Sequence, residues 1–337
     1  MKAKRVLIRF ALVLLFAVAL SLPAQQAETD HKAFEEIKAK AEKGDSKAQY
    51  RMGNSSLNGQ GVAKDEVEAV NWFRKAAAQN YALAQYSLGI CYANGRGVVQ
   101  DQAEAVKWYR EAAEQNLVDA QYDLGICYDN GQGVARDVVE AVKWFRKAAE
   151  QGDAVAQFNL GVMYSDGRGT EKDYTKAQYW YGKAAAQGKA KAQFNLGLMY
   201  YKGQGVEKDF VAARKWFYQA AEQGDAIAQF MLGGMYQDAE GVKKDYQEAL
   251  KWYRKAAEQG DARAQFSLGT LYFKGQGVEK DYVEAYAYFI LAGDKAGNTR
   301  DTVQKIISPQ QIAAAQKRAK ELHAEIALKL KQAKPSP

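Results

Sequence analysis

Side chains able to do chemistry are sparse in this chain of 337 residues. Histidine and cysteine supply most zinc ligands and many general bases and nucleophiles; each occurs only twice. His31 lies near the N-terminus and His323 near the C-terminus, with no Cys or Asp cluster beside either, so they mark no metal site. No Ser-x-x-Lys, His-Glu-x-x-His or Gly-x-Ser-x-Gly occurs. Gly-x-Gly recurs along the chain, as at Gly131 and Gly133, but a phosphate-cradling loop needs a strand before it and a third Gly after it. Neither is present, and these read as loop glycines. The sequence therefore predicts no catalytic residue, no metal ligand set and no cofactor.

What the sequence does carry is a repeat. The stretch from Leu117 to Gly152 meets itself when shifted by 36 residues in either direction. Seven copies begin at Asp45, Tyr81, Leu117, Asp153, Lys189, Asp225 and Asp261, and the last ends at Ala296. In the third copy Ala120, Leu124 and Tyr128 share one helical face. The Gly-x-Gly turn follows, and then an Asp that stands in all seven copies, from Asp65 to Asp281, where an N-cap would satisfy the free amides of a second helix. That helix carries Ala141, Trp144, Phe145 and Ala148 as an apolar stripe. It ends at Gly or Asn, such as Gly152 or Asn80, suited to a left-handed cap.

The ninth place is Gly in every copy, from Gly53 to Gly269. Glycine inside a helix costs about 1 kcal/mol against Ala, so a packing reason is required, and close approach of the paired helices is the simplest. Six Trp share one register, from Trp72 to Trp252, with Tyr288 in the seventh copy. One short helical pair cannot bury such a face, so neighbouring pairs must stack into an α-solenoid.

The pattern A-Q-[YF]-x-L-G-x-x-Y, then G-x-G, then D, then A-x-x-W-[YF]-x-x-A-A-x-Q-G resembles the Sel-1-like repeat family, a relative of tetratricopeptide repeats. The resemblance covers residues 45–296 and departs from the pattern at Ser56, where Tyr is expected, and at Ala239, which replaces the first turn Gly of the sixth copy. Both departures should loosen single repeats. The resemblance implies an all-α, right-handed α/α solenoid of helix–turn–helix repeats with N- and C-terminal capping helices, acting as a non-enzymatic protein-interaction scaffold. Some secreted relatives carry two Cys per repeat as a disulfide and have a proposed penicillin-binding activity; this chain lacks that pattern. Cys91 and Cys127 instead occupy the eleventh place of adjacent copies, where later copies have Met163, Met199, Met235 and Leu271. Equivalent atoms of stacked repeats should lie about 10 Å apart, beyond disulfide reach, and an apolar place favours buried free thiols.

Residues 1–27 read as a signal peptide, with Lys2, Lys4, Arg5 and Arg9 before the apolar run from Phe10 to Leu22 and small residues after it. The run is short for a membrane span, so no span is expected after cleavage, although retention as an uncleaved anchor is the alternative. A periplasmic or secreted location follows. Removing that segment lowers the net charge from +7 to +3. The last 24 residues hold six Lys or Arg and two Glu, which leaves the repeats near neutral with interspersed signs. Nucleic acid calls for a concentrated basic face, and none is present. Residues 28–44 are expected to form an N-terminal capping helix. In 297–337, capping helices and a basic tail are expected: Asn298 and Asp301 as caps of a short helix to about Ile307, then a capping box from Ser308 to Gln311. Ile312, Ala315, Ala319, Leu322 and Ile326 form the apolar face of the last helix.

The third, seventh, tenth and fourteenth places vary among copies and share a face of the first helix. By resemblance that helix lines the concave surface. The candidate partner-binding residues are Ile90, Asn94, Ile126, Asn130, Val162, Asp166, Leu198 and Lys202. Aliphatics beside amides suit an extended peptide or protein segment; the tenth place has the competing use of packing against the neighbouring first helix. The aromatics of the sixth place, from Tyr50 to Phe266, are expected in the inter-repeat core. Binding or modification of cell-wall glycan or peptide stems is the alternative function, and it needs a reactive constellation that the sequence does not display.

Overall fold

The computed structural model describes residue 32 and residues 34–332, which are helix and turn throughout. The expected signal segment, His31 and the last five residues of the basic tail lie outside the described residues. The chain falls into two compact units divided between Gln151 and Gly152.

The N-terminal unit starts with α1 (34–42) and continues through three helical pairs. These are α2 (Ser46–Asn58) with α3 (Glu66–Ala77), α4 (Ala82–Asn94) with α5 (Gln102–Glu114), and α6 (Val118–Asn130) with α7 (Val138–Glu150). Each helix packs on the next in chain order from α2 to α7. Phe34 and Ala41 of α1 are buried with Ala48 and Met52 of α2, so α1 covers the apolar end of the first pair. The C-terminal unit holds α8 (Ala154–Asp166), α9 (Tyr174–Ala186), α10 (Ala190–Lys202), α11 (Phe210–Glu222), α12 (Ala226–Asp238), α13 (Tyr246–Ala257), α14 (Ala262–Lys274) and α15 (Tyr282–Leu291), stacked likewise. Then come a 3-10 turn (Gly293–Ala296), α16 (Gly297–Gln304) and the long α17 (Pro309–Gln332), which packs on α15. The architecture is the expected α-solenoid of seven repeats.

Local chemistry explains the boundaries. All seven turn Asp residues cap the second helices; the Asp101 carboxylate, for instance, accepts from the backbone N–H groups of Ala103 and Glu104 at 2.9 and 3.0 Å. First helices end in the left-handed region, with Gly131 at φ 71°. Ala239 holds the same conformation at φ 63°, a strain of about 1 kcal/mol that Gly avoids. The second turn Gly has a separate reason. A Cβ on Gly133 would lie 2.0 Å from the Gln102 carbonyl oxygen, so the turn can back onto the preceding second helix only without a side chain.

The ninth-place Gly makes room for a ring. A Cβ on Gly53 would stand 2.4 Å from Phe73, and one on Gly161 2.6 Å from Tyr181, each ring belonging to the second helix of the same repeat. The sixth-place aromatics pack on these same rings. Tyr86 lies 5.7 Å from Tyr109 and Phe194 5.6 Å from Phe217, centroid to centroid. They also reach the next repeat, as expected: Tyr50 lies 5.5 Å from Tyr81, and Phe230 packs on the core shared by the sixth and seventh repeats. Ser56 is fully buried in place of the expected Tyr, and its hydroxyl has no hydrogen-bond partner.

Repeats are also joined by polar bonds that periodicity did not predict. The fifth-place Gln is buried in all seven copies. Gln121 Nε2 donates to the Ala113 carbonyl of the preceding repeat at 3.1 Å, while its Oε1 accepts from Gln151 at 2.7 Å. Gln193 does the same with Ala185 and Gln223 at 3.2 and 2.7 Å. Arg74 donates to Tyr92, and Arg254 to Tyr272, each in the next repeat.

At the C-terminal end two expectations part company. Ser308 and Gln311 form the reciprocal capping box, at 2.9 and 3.2 Å. Asn298 and Asp301 cap nothing: α16 already begins at Gly297, running on from the 3-10 turn, so both fall inside it. Ala315, Ala319 and Leu322 are buried against α15, with Ile312 half-buried beside them.

Candidate partner-binding face

The variable places of the first helices divide by exposure. Ile90, Ile126, Val162 and Leu198 at the tenth place are half-buried, whereas Asn94, Asn130, Asp166 and Lys202 at the fourteenth are exposed. The difference is geometric. The fourteenth place is the last residue of each first helix, just before its left-handed cap, and so projects at the helix end. The tenth lies one turn earlier, beside the scaffold residues.

In the N-terminal unit, Asn94 turns its amide back on its own helix, donating to the Ile90 carbonyl at 3.0 Å. That bond occupies a group expected to face a ligand. Near Ile126, Asp123 accepts from the Tyr86 hydroxyl across the repeat boundary at 2.8 Å. Burial, reinforced by Asp119, pushes the Asp123 carboxyl above the usual carboxylate range, with the Tyr86 bond acting the other way. The same burial and the adjacent carboxylate push the Tyr86 phenol up. Asp123 belongs to the same candidate face and was not among the expected binding residues; its seventh-place register was the available signal.

In the C-terminal unit, Val162, Asp166, Leu198 and Lys202 all line one open cleft of about 370 Å³ between the first helices of the fourth and fifth repeats. Val162 and Leu198 are its aliphatic part, and Asp166 and Lys202 bring opposite charges to it. Tyr181, Tyr174 and Asn195 complete the wall. The two tyrosine hydroxyls are held in place: that of Tyr181 lies 3.3 Å from Ser165 Oγ, and that of Tyr174 accepts from Gln204 at 3.3 Å. Lys172 sits over the Tyr174 ring, 4.9 Å from its centroid. A mostly polar cleft that includes two aliphatic side chains can take a peptide side chain and pair with its backbone.

A tighter cavity, about 170 Å³, lies elsewhere in this unit, along the seam of α17. Its charges are engaged: Arg318 pairs with Glu284 at 3.1 Å and Lys329 with Glu258 at 2.8 Å, while Arg254 donates to Tyr272. Those contacts fasten the last helix and engage the charged groups of the cavity. Cys91 and Cys127 are buried free thiols, and burial raises both to about 11, far from a reactive thiolate. Among the described residues no three His, Cys, Asp or Glu gather as a metal site, and no helix is long and apolar enough to cross a membrane.

The Sel1 repeat family model matches residues 46–81, 82–117, 118–153, 154–189, 190–225, 226–261 and 262–296. Among solved structures, a Sel1 repeat protein from Oxalobacter formigenes is 34% identical, with a TM-score of 0.64 over 84% of this chain and 82% of that one. A protective antigen of uropathogenic Escherichia coli with the same repeat fold is 29% identical, with a TM-score of 0.47 over 90% of this chain and 98% of that one. A comparison with curated proteins gives no match.

Proposed function

Because the chain belongs to the Sel1 repeat family, we propose that it is an exported, non-catalytic scaffold that holds an extended segment of a partner protein against its first-helix face. The observation that supports this most is the cleft of the C-terminal unit, whose lining brings Val162 and Leu198 together with Asp166 and Lys202. Half-buried aliphatics can lose their remaining water to a ligand, and each such side chain fully covered contributes about 1 kcal/mol. Ile90 and Ile126 offer the equivalent surface in the N-terminal unit. Export rests on the basic and apolar pattern of residues 1–27 and places the partner in the cell envelope.

The test is capture from envelope extract by protein starting at Glu28, beside Ile90→Glu/Ile126→Glu and Val162→Glu/Leu198→Glu variants. Loss of one specific partner in either variant, with the far-ultraviolet helical signal unchanged, supports the reading. A partner retained by both folded variants refutes it. Binding of purified wall polymer instead of protein would move the function to the glycan class.

A further inference from the structure

The fourteenth place changes character between the two units. In the N-terminal unit it is Asn58, Asn94 and Asn130; in the C-terminal unit it is Asp166, Lys202, Asp238 and Lys274. All four charged side chains are exposed, and each ends the first helix of its repeat, so they form one row along the unit. Row neighbours are about one helix spacing, ~10 Å, apart. That exceeds the screening length of about 8 Å at physiological salt, so they do not neutralise one another. The two carboxylates have neutral donors for company, Ser165 Oγ at 3.0 Å from Asp166 and Gln237 Nε2 at 3.4 Å from Asp238. Lys172 shares the cleft with Asp166 but is drawn over the Tyr174 ring. Among the described residues none of the four enters an ion pair, although other surface charges of this unit do, such as Lys251 with Glu248 at 3.2 Å.

The signs alternate: minus, plus, minus, plus. Such a row has a specific symmetry property. Laid antiparallel on a copy of itself, it sets Asp166 against the partner's Lys274 and Lys202 against the partner's Asp238, and the twofold axis repeats both pairs. Every charge meets its opposite. Laid parallel, every charge meets its like. A twofold interface needs a patch that complements itself on reversal, and this row has that property while the asparagine row of the other unit carries no sign at all.

We propose that the C-terminal unit associates with a second copy of this chain through this row, antiparallel about a twofold axis between Lys202 and Asp238. The contact is distinguishable from the peptide reading at the aliphatic residues: Ile90 and Ile126 belong to the other unit, and Val162 and Leu198 lie one turn inside the row. It also sets a competition, because Asp166 and Lys202 serve both the copy contact and the cleft rim.

Sedimentation velocity on the full chain from Glu28 tests this through a charge-swap cycle. The wild type should show a concentration-dependent dimer at low salt that weakens roughly tenfold or more at about 0.5 M salt. Lys202→Asp or Asp238→Lys alone sets like charges against each other in both central pairs and should weaken the dimer by roughly tenfold or more. An equal mixture of the two single variants should associate again, because each supplies the sign that the other lost. The double swap in one chain should do the same. Rescue by mixing cannot come from a folding defect, which keeps the outcome readable if a single variant is destabilised. A monomer at every concentration in low salt overturns the proposal. So does a dimer that neither single reversal weakens, or single-variant losses that the mixture fails to restore.

Discussion

Two glycines of the fourth repeat should respond to the same substitution with opposite sign. Gly161 in α8 and Gly182 in α9 are both helical, so Ala at either position gains about 1 kcal/mol of helix propensity. Around Gly182 nothing lies within 4 Å of an added Cβ, and other copies carry Arg74, Arg110, Arg146 and Arg254 at the equivalent place. Gly182→Ala should therefore keep the whole gain. At Gly161 the added Cβ would stand 2.6 and 2.7 Å from two ring atoms of Tyr181. That ring cannot swing aside easily: it is 3% exposed, packs on Phe158 at 5.9 Å and has its hydroxyl 3.3 Å from Ser165. Overpacking of this kind costs about 1–3 kcal/mol, so Gly161→Ala should lose about 1 kcal/mol net. The two variants thus differ by about 2 kcal/mol, or roughly 4–8 °C in Tm for a unit of this size. Urea titration followed by tryptophan emission is the assay, since Trp180 lies in α9 next to Tyr181 in the sequence. An unchanged slope with midpoints moved in opposite directions is the expected result. A Gly161→Ala protein as stable as wild type would refute the assignment of the ninth-place glycine to ring packing.

Two further outcomes follow from buried polar groups. Gln193→Ala removes two hydrogen bonds, one to the Ala185 carbonyl and one from the exposed Gln223 amide, each worth about 0.5–1.5 kcal/mol net, so thermal denaturation should show a loss of about 1–3 kcal/mol; a neutral result would show that the glutamine row does not brace the stack. Asp123→Asn keeps an acceptor for the Tyr86 hydroxyl and removes a carboxyl whose pKa is raised, mainly by burial. A raised pKa means that the group's stabilising contribution is complete below the ordinary carboxylate value and is lost as pH rises through the folded value. The variant should therefore be more stable than wild type at pH 7, with the difference closing below about pH 4. Urea midpoints at the two pH values check this, and a variant less stable at neutral pH contradicts it.

The one-dimensional pattern was enough for the fold because everything that defines a repeat is local. The 36-residue period, the capping Asp such as Asp101, the left-handed residues Asn80 and Gly131, and the Ser308–Gln311 box all act within a few residues of themselves. Helix faces follow from spacing alone, which is why the sequence places Ala315, Ala319 and Leu322 on one face, and all three are buried. Asn298 and Asp301 show the limit of such local reading: both are good capping residues, yet helix entry from the preceding 3-10 turn left no cap position for either. Tertiary structure decided which side chains meet. Spacing marks Gly161 as exceptional but cannot say that the Tyr181 ring is the reason. Nor can it show that Gln121 reaches back to Ala113, or that Asn94 bends onto its own helix while Val162, Asp166, Leu198 and Lys202 share a cleft. Periodicity assigns a side chain to a face; only the packing of one helix against the next fixes its neighbours, and binding chemistry depends on those neighbours.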